Sequence, residues 1–162
     1  VIIFTDEQIA ALIAERKNLP DGVVGKLLPD ISKRQWTRSQ DVTGIAGNAF
    51  RIIVRQVPTH PHNFSVILAH RLPNSNTLFN LRRYNAQEEH TNRLEGQKFF
   101  GYHIHTATKR YQEAGGKVEA YAERCERFHD TASALWCLIE DCGCVLSPED
   151  EYLHRSLLRI VQ

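Results

Sequence analysis

The chain has 162 residues, of which 42% are hydrophobic and 24% charged, and a formal net charge of +1. That length can bury roughly 70% of the unfolded surface without a disulfide or metal staple, and the composition is not that of a disordered chain. With so little net charge, any affinity for nucleic acid must come from local clustering of cations.

Thr5-Asp6-Glu7-Gln8 reads as a capping box, so a short amphipathic helix is expected through Ile9, Leu12 and Ile13, with Arg16 and Lys17 as cations at its C-terminal end. Pro20, Asp21 and Gly22 stop it. Val23, Val24, Leu27 and Leu28 can make a second short helix, ended by Pro29. From Asp41 the hydrophobic period becomes two. Ala49–Val57 and Phe64–Leu72 read as strands, with a third at Thr77–Tyr84 after the turn Pro73–Asn76. Residues 85–97 are polar and read as a loop. A fourth strand is expected near Phe99, running extended from Gly101 to Tyr111, and a fifth, shorter one at Val118–Glu123. Asp130 caps an apolar helix, Thr131–Cys142, that Gly143 ends. Ser147-Pro148-Glu149-Asp150 starts another, with an apolar stripe of Leu153, Leu157, Leu158 and Val161.

Strands grouped between helices, without strand-helix alternation, predict an α+β fold. The expectation is a single antiparallel sheet of about five strands carrying an N-terminal helix and C-terminal helices. In one domain, residues 1–40 form a helical N-terminal segment, 41–123 the sheet and 130–162 the C-terminal helices.

The opening Val1–Phe4 is apolar only briefly before Asp6 and Glu7. No secretory leader or membrane span is therefore expected, and the cytoplasm is the expected compartment. The four cysteines (Cys125, Cys137, Cys142 and Cys144) lack the paired spacing of a zinc site. With His60 and His62 they could still be imagined around a metal, but Cys137 lies in an apolar helix and suits a small buried hydrophobe. No metal and no cofactor is expected.

The stretch from Leu81 to Tyr111 stands apart. It holds Arg82, Arg83, Tyr84 and His90, then His103, His105, Lys109 and Tyr111. Alternate strand positions place His103 and His105 on one face, roughly 7 Å apart. Histidine exchanges protons near neutrality, and arginine binds phosphate oxygens in pairs. A metal-independent ribonuclease needs such a set: a base for the ribose 2′-hydroxyl, an acid for the leaving oxygen and cations on the phosphorane. His103 and His105 are the acid/base candidates, with His90 a third. Arg82, Arg83 and Lys109 are candidates for phosphate, and Tyr84 or Tyr111 for base stacking. The competing reading is that these are solvated or half-buried strand residues of a non-catalytic module binding a protein or nucleic-acid partner, with an inhibitor of a defence system as a further alternative. Arg51 and Arg55 share one face of their strand, Arg71 lies on the next, and Lys33, Arg34, Trp36 and Arg38 form a basic-aromatic cluster before the sheet.

The segments FRIIVRQ, FSVIL, LRRYN, EHTN, HIHTATKRY and AYAE resemble a family of small cytosolic prokaryotic proteins of uncharacterised function, over about Phe50 to Gly143. The order Arg83-Tyr84, His90, His103, His105, Glu123 and then a closing helix is more loosely similar to TumE-like toxins, relatives of the RelE/ParE group. That likeness implies an RNA-cleaving toxin with an antitoxin partner. It leaves the first helix and the region after Val145 without a counterpart.

Overall fold

A computed structural model describes residues 2–28 and 36–161, with side chains as far as Ser156. Thr5 caps α1 (Asp6–Ala14) through the expected box with Gln8. Lys17 does not sit in solvent at its end. It is buried, its Nζ donating to the carbonyls of Leu12, Ile13, Glu15 and Cys142 at 2.7–3.0 Å, so the α1 C-terminus is closed by an ammonium rather than by water. β1 (Lys17–Asn18) follows, then α2 (Val23–Leu27). Leu28, which precedes a proline, is extended (ψ 135°), as that position requires. Pro29, Lys33 and Arg34 lie outside the described residues.

β2 (Thr37–Thr43), β3 (Ala49–Val57), β4 (His60–Arg71), β5 (Leu78–Asn92), β6 (Gln97–Thr106) and β7 (Ala122–Arg124) form a six-stranded sheet in that order, every pairing antiparallel. The α+β class is as expected, with one strand more. β2 starts at Thr37, inside the segment assigned to helix. Its apolar content is too low to announce a strand, and pairing with β3 supplies what propensity does not. After β6 come α3 (Lys109–Ala114), α4 (Thr131–Asp141), β8 (Cys144–Val145), which pairs in parallel with β1, and α5 (Pro148–Val161). Asp130 caps α4 in a box with Ser133, and Gly143 follows it at φ 68°. Leu153 is largely exposed, and Leu157, Leu158 and Val161 lie beyond the described side chains.

Three boundaries differ from expectation, and each bears on the site. The polar run after Asn85 is not a loop, because β5 continues to Asn92 opposite β6. The chain is not extended to Tyr111: β6 stops at Thr106, and Thr108 caps α3 by accepting from the Tyr111 N–H. The short last strand is Ala122–Arg124 rather than Val118–Glu123.

The core lies on one face of the sheet. There Ile9, Leu12 and Ile13 of α1, Val23 and Val24 of α2, and Leu135 and Leu138 of α4 meet Phe50, Ile52, Val54, Val66, Leu68 and Tyr84. The other face carries a small separate cluster, Ile53, Ile67 and Ala69, to which no helix contributes among the described residues.

Candidate functional site

Two irregularities shape β5. At the first, Leu68 pairs with Arg82 but Ala69 with Asn80, leaving Leu81 as an extra residue. Leu81 is fully buried in the helix-side core, and Arg82 also turns to that side, its Nη1 3.7 Å from Asp141 of α4 and 3.5 Å from the Tyr84 hydroxyl. Arg83 keeps to the helix-free face. The adjacent arginines are thus divided by the sheet and cannot hold one phosphate together. At the second irregularity Asn85 faces His103 but Glu88 faces Gly101, so two residues of β5 oppose one of β6. Such a bulge bends its strand, and Gly101 sits opposite it with φ 144°.

The bend folds the far half of the β5–β6 hairpin back over the helix-free face. Asn92 fastens it to the edge strand: its Nδ2 donates to the Ala122 carbonyl (2.8 Å) and its Oδ1 accepts from the Ala122 N–H (2.9 Å). The tip is held further where the Tyr111 hydroxyl donates to Glu95 and accepts from the Leu94 N–H. His90 thereby lies over the two β6 histidines. Its ring centroid is 5.3 Å from that of His103 and 4.9 Å from that of His105, and those two rings are 4.8 Å apart. One ring nitrogen from each of the three lies within 4.8 Å of the others.

Expected and observed positions can be set side by side. His90, His103 and His105 do converge, but not in an open groove: His103 is 0% and His105 4% exposed, and only His90 is half-buried. Tyr84 is completely buried, its hydroxyl donating to Asp141 at 2.8 Å, so it cannot stack on a base. Tyr111 is likewise buried and serves the hairpin tip. Lys109 is not a strand neighbour of the histidines. It begins α3 and pairs with Glu113. Arg83 stays beside the cluster, 3.7 Å from the buried Glu119 carboxylate. Arg82 belongs to a different cleft, of about 580 Å³, lined also by Arg127, Asp141 and Thr106.

Burial has a direct electrostatic consequence, since a charged imidazole loses its hydration there. Desolvation, reinforced by Arg83 and the other two rings, pushes His105 down to about 3. Desolvation also lowers His103, against the opposing pull of its bond to Gly101 and of the Glu88 carboxylate. Both are neutral imidazoles at physiological pH, poor proton acceptors and unsuited to act as the acid, with lone pairs still open to a metal ion.

Two of the rings have one nitrogen engaged by a group that fixes its tautomer. His103 Nδ1 is 2.9 Å from the Gly101 carbonyl, which can only accept, so Nδ1 carries the proton. His90 Nε2 is 2.8 Å from Asn92 Oδ1. Since Ala122 fixes the orientation of that amide, Nε2 is the donor and Nδ1 holds the lone pair. The Glu119 backbone lies close enough to His105 to oppose its downward shift, and His105 Nδ1 is buried without a partner, as is His103 Nε2. The Glu88 carboxylate, more than half exposed, stands 3.5 Å from His103 Nε2 and accepts from Asn85 Nδ2.

Glu88 and Asn92 fall within the marked stretch but have no expected role there, and Glu119 is not singled out by the sequence. Asn92 is two residues from His90, a spacing without meaning until the bulge and the latch are known. The cysteines are free thiols, and burial raises Cys137 and Cys142 to about 11 and Cys144 to about 12. His60 and His62 are exposed on β4 and take no part in the histidine cluster.

The same face carries the arginines. By register, Arg55, Ser65, Asn85, His103 and Arg124 form one row across β3 to β7, with Ile53, Ile67, Arg83, His105 and Ala122 in the next. Arg51 and Arg71 occupy the same face further along. Trp36 and Arg55 share a groove of about 240 Å³ at one end of the first row.

Comparison with protein-family models, curated proteins and solved structures gives no match for the chain. Among the described residues, no helix is long and apolar enough to cross a membrane.

Proposed function

We propose that the protein binds single-stranded nucleic acid, RNA by preference, along the helix-free face of its sheet and cleaves it at the three-histidine centre. The observation that carries this reading is the register that aligns Arg55, His103 and Arg124 in one row, flanked by Arg51, Arg71 and Arg83. Arg55 and His103 are three strand spacings apart, about 14 Å, a span of a few nucleotides. Guanidinium groups track phosphates, and the 60%-exposed Trp36 beside Arg55 offers a stacking surface for a base. At the centre His90 takes the proton of the attacking 2′-hydroxyl as its oxygen bonds to phosphorus, and the 5′-oxygen whose bond to phosphorus breaks is protonated from solvent. His90, the one of the three rings that meets solvent, is nearest to an incoming phosphate. A toxin-type role with an antitoxin partner is compatible with such an activity.

Burial of His103 and His105 favours a second reading, in which the same face binds nucleic acid without cutting it and the histidines hold the hairpin. Incubating the purified protein with labelled single-stranded RNA separates the two. Cleavage that disappears in His103→Ala/His105→Ala, while RNA binding persists, is the expected result. Binding without cleavage by the wild type selects the second reading, and absence of both removes the first.

A further inference from the structure

We propose that His90, His103 and His105 form a binding site for one divalent transition-metal ion, with zinc as the preferred class. The geometry stands independently of RNA cleavage, and a bound ion would take up the lone pairs that histidine acid–base cleavage uses, so the two readings describe the loaded and the metal-free protein. Three imidazoles from β5 and β6 meet with one nitrogen each within 4.8 Å, and Asn92 and Gly101 engage one nitrogen of His90 and of His103. That leaves His90 Nδ1, His103 Nε2 and His105 Nδ1 as unprotonated donors, the last two buried and without partners. Lone pairs brought together in a largely buried site repel, and an unsatisfied buried nitrogen is costly. A cation removes both penalties at once.

The groups that hold the distal nitrogens have the form that metal-binding histidines use. A carbonyl or side-chain oxygen accepts the distal N–H, fixing tautomer and ring orientation. Zinc–nitrogen bonds of about 2.0–2.1 Å in tetrahedral geometry place ligating nitrogens about 3.4 Å apart, so the rings would have to close in on the ion from a spacing within 4.8 Å. An all-imidazole set suits zinc and its late first-row neighbours, whereas magnesium and calcium call for oxygen. Three protein nitrogens leave a fourth position. The Glu88 carboxylate, 3.5 Å from His103 Nε2 and positioned by Asn85, stands on that side as a fourth ligand or a base for a bound water. Arg83 brings positive charge nearby, and Glu119, 3.7 Å away, offsets it.

Chelator-stripped protein titrated with zinc, and with cobalt as a spectroscopic probe, tests the site. The expected outcome is one equivalent per chain and a tetrahedral cobalt spectrum, with no competition from magnesium. Binding should vanish in His103→Ala/His105→Ala and persist in His60→Ala/His62→Ala. Asn92→Ala, which touches the ion only through His90, should weaken zinc roughly 10–100-fold. Nitrogen-15 NMR of the wild-type imidazoles does not depend on any variant folding. Before metal it should show His103 protonated at Nδ1 and His90 and His105 at Nε2, and zinc should shift the opposite nitrogen of each. No saturable binding, binding that survives loss of both β6 histidines, or the reversed tautomers would overturn the assignment.

Discussion

A buried imidazole makes the protein acid-sensitive, and the sign follows from its two states. His105 titrates near 3 when folded and at about 6.5 when unfolded. Between those values the unfolded chain binds the extra proton, so the stabilising difference is complete above about pH 6.5 and is lost as pH falls towards 3. In metal-free protein this one residue should cost about 2 kcal/mol between about pH 7.5 and about pH 5. Urea unfolding of wild type and His105→Gln at both pH values checks it: the wild type should lose that much relative to the variant. An unchanged difference would mean that the ring is solvated. Sequence made His103 and His105 visible as an alternating pair, but it assigned them proton transfer in an open groove. Their exposure depends on a hairpin segment 13 to 15 residues away, which no local pattern reports.

At the scale of the element, the β5–β6 hairpin makes the site by bending. Gly101 has φ 144° opposite the bulge, and a β-carbon there would stand 3.0 Å from Arg124 Nε. Gly101→Ala should therefore destabilise the protein by about 1–3 kcal/mol and loosen the latch of Asn92 on Ala122. Thermal unfolding, with hydrogen exchange at the Ala122 amide, measures both effects. Arg124→Ala in the same background relieves the contact but not the backbone strain, so most of the loss should remain. Full recovery would assign the effect to the contact instead. The polar residues 85–97 looked like a loop because an amphipathic period is lost where a strand is bulged and its side chains serve a polar interior. Similarly, Thr108 reads equally well as a strand residue and as a helix cap. The tertiary contacts chose the cap, and with it removed Lys109 and Tyr111 from the histidine row.

Across the whole molecule, strand pairing gathers cations that the sequence scatters over more than seventy residues, from Arg51 to Arg124. If RNA lies on that face, Arg55→Ala/Arg71→Ala should reduce affinity and make it less salt-dependent. At roughly 0.7 per single-strand phosphate contact, the slope of log K against log salt should shrink by about 1.4. Filter binding across a salt series measures this, and zinc binding serves as a control that should not change. An unaltered slope would place the RNA elsewhere.

Local chemistry settled much in advance: the caps at Thr5 and Asp130, the alternation of β3 and β4, the α+β order, and two histidines on one side of a strand. These depend on neighbours within a turn or a pleat, so residue order alone encodes them. Which side of the sheet Arg82 would take, whether His90 would reach His103, and whether that meeting place would be wet or dry were decided only by folding. Two bulges and an asparagine latch thirty residues long in sequence determine them. One extra residue in a strand reverses every side chain beyond it, and only the pairing of distant segments fixes where that residue falls.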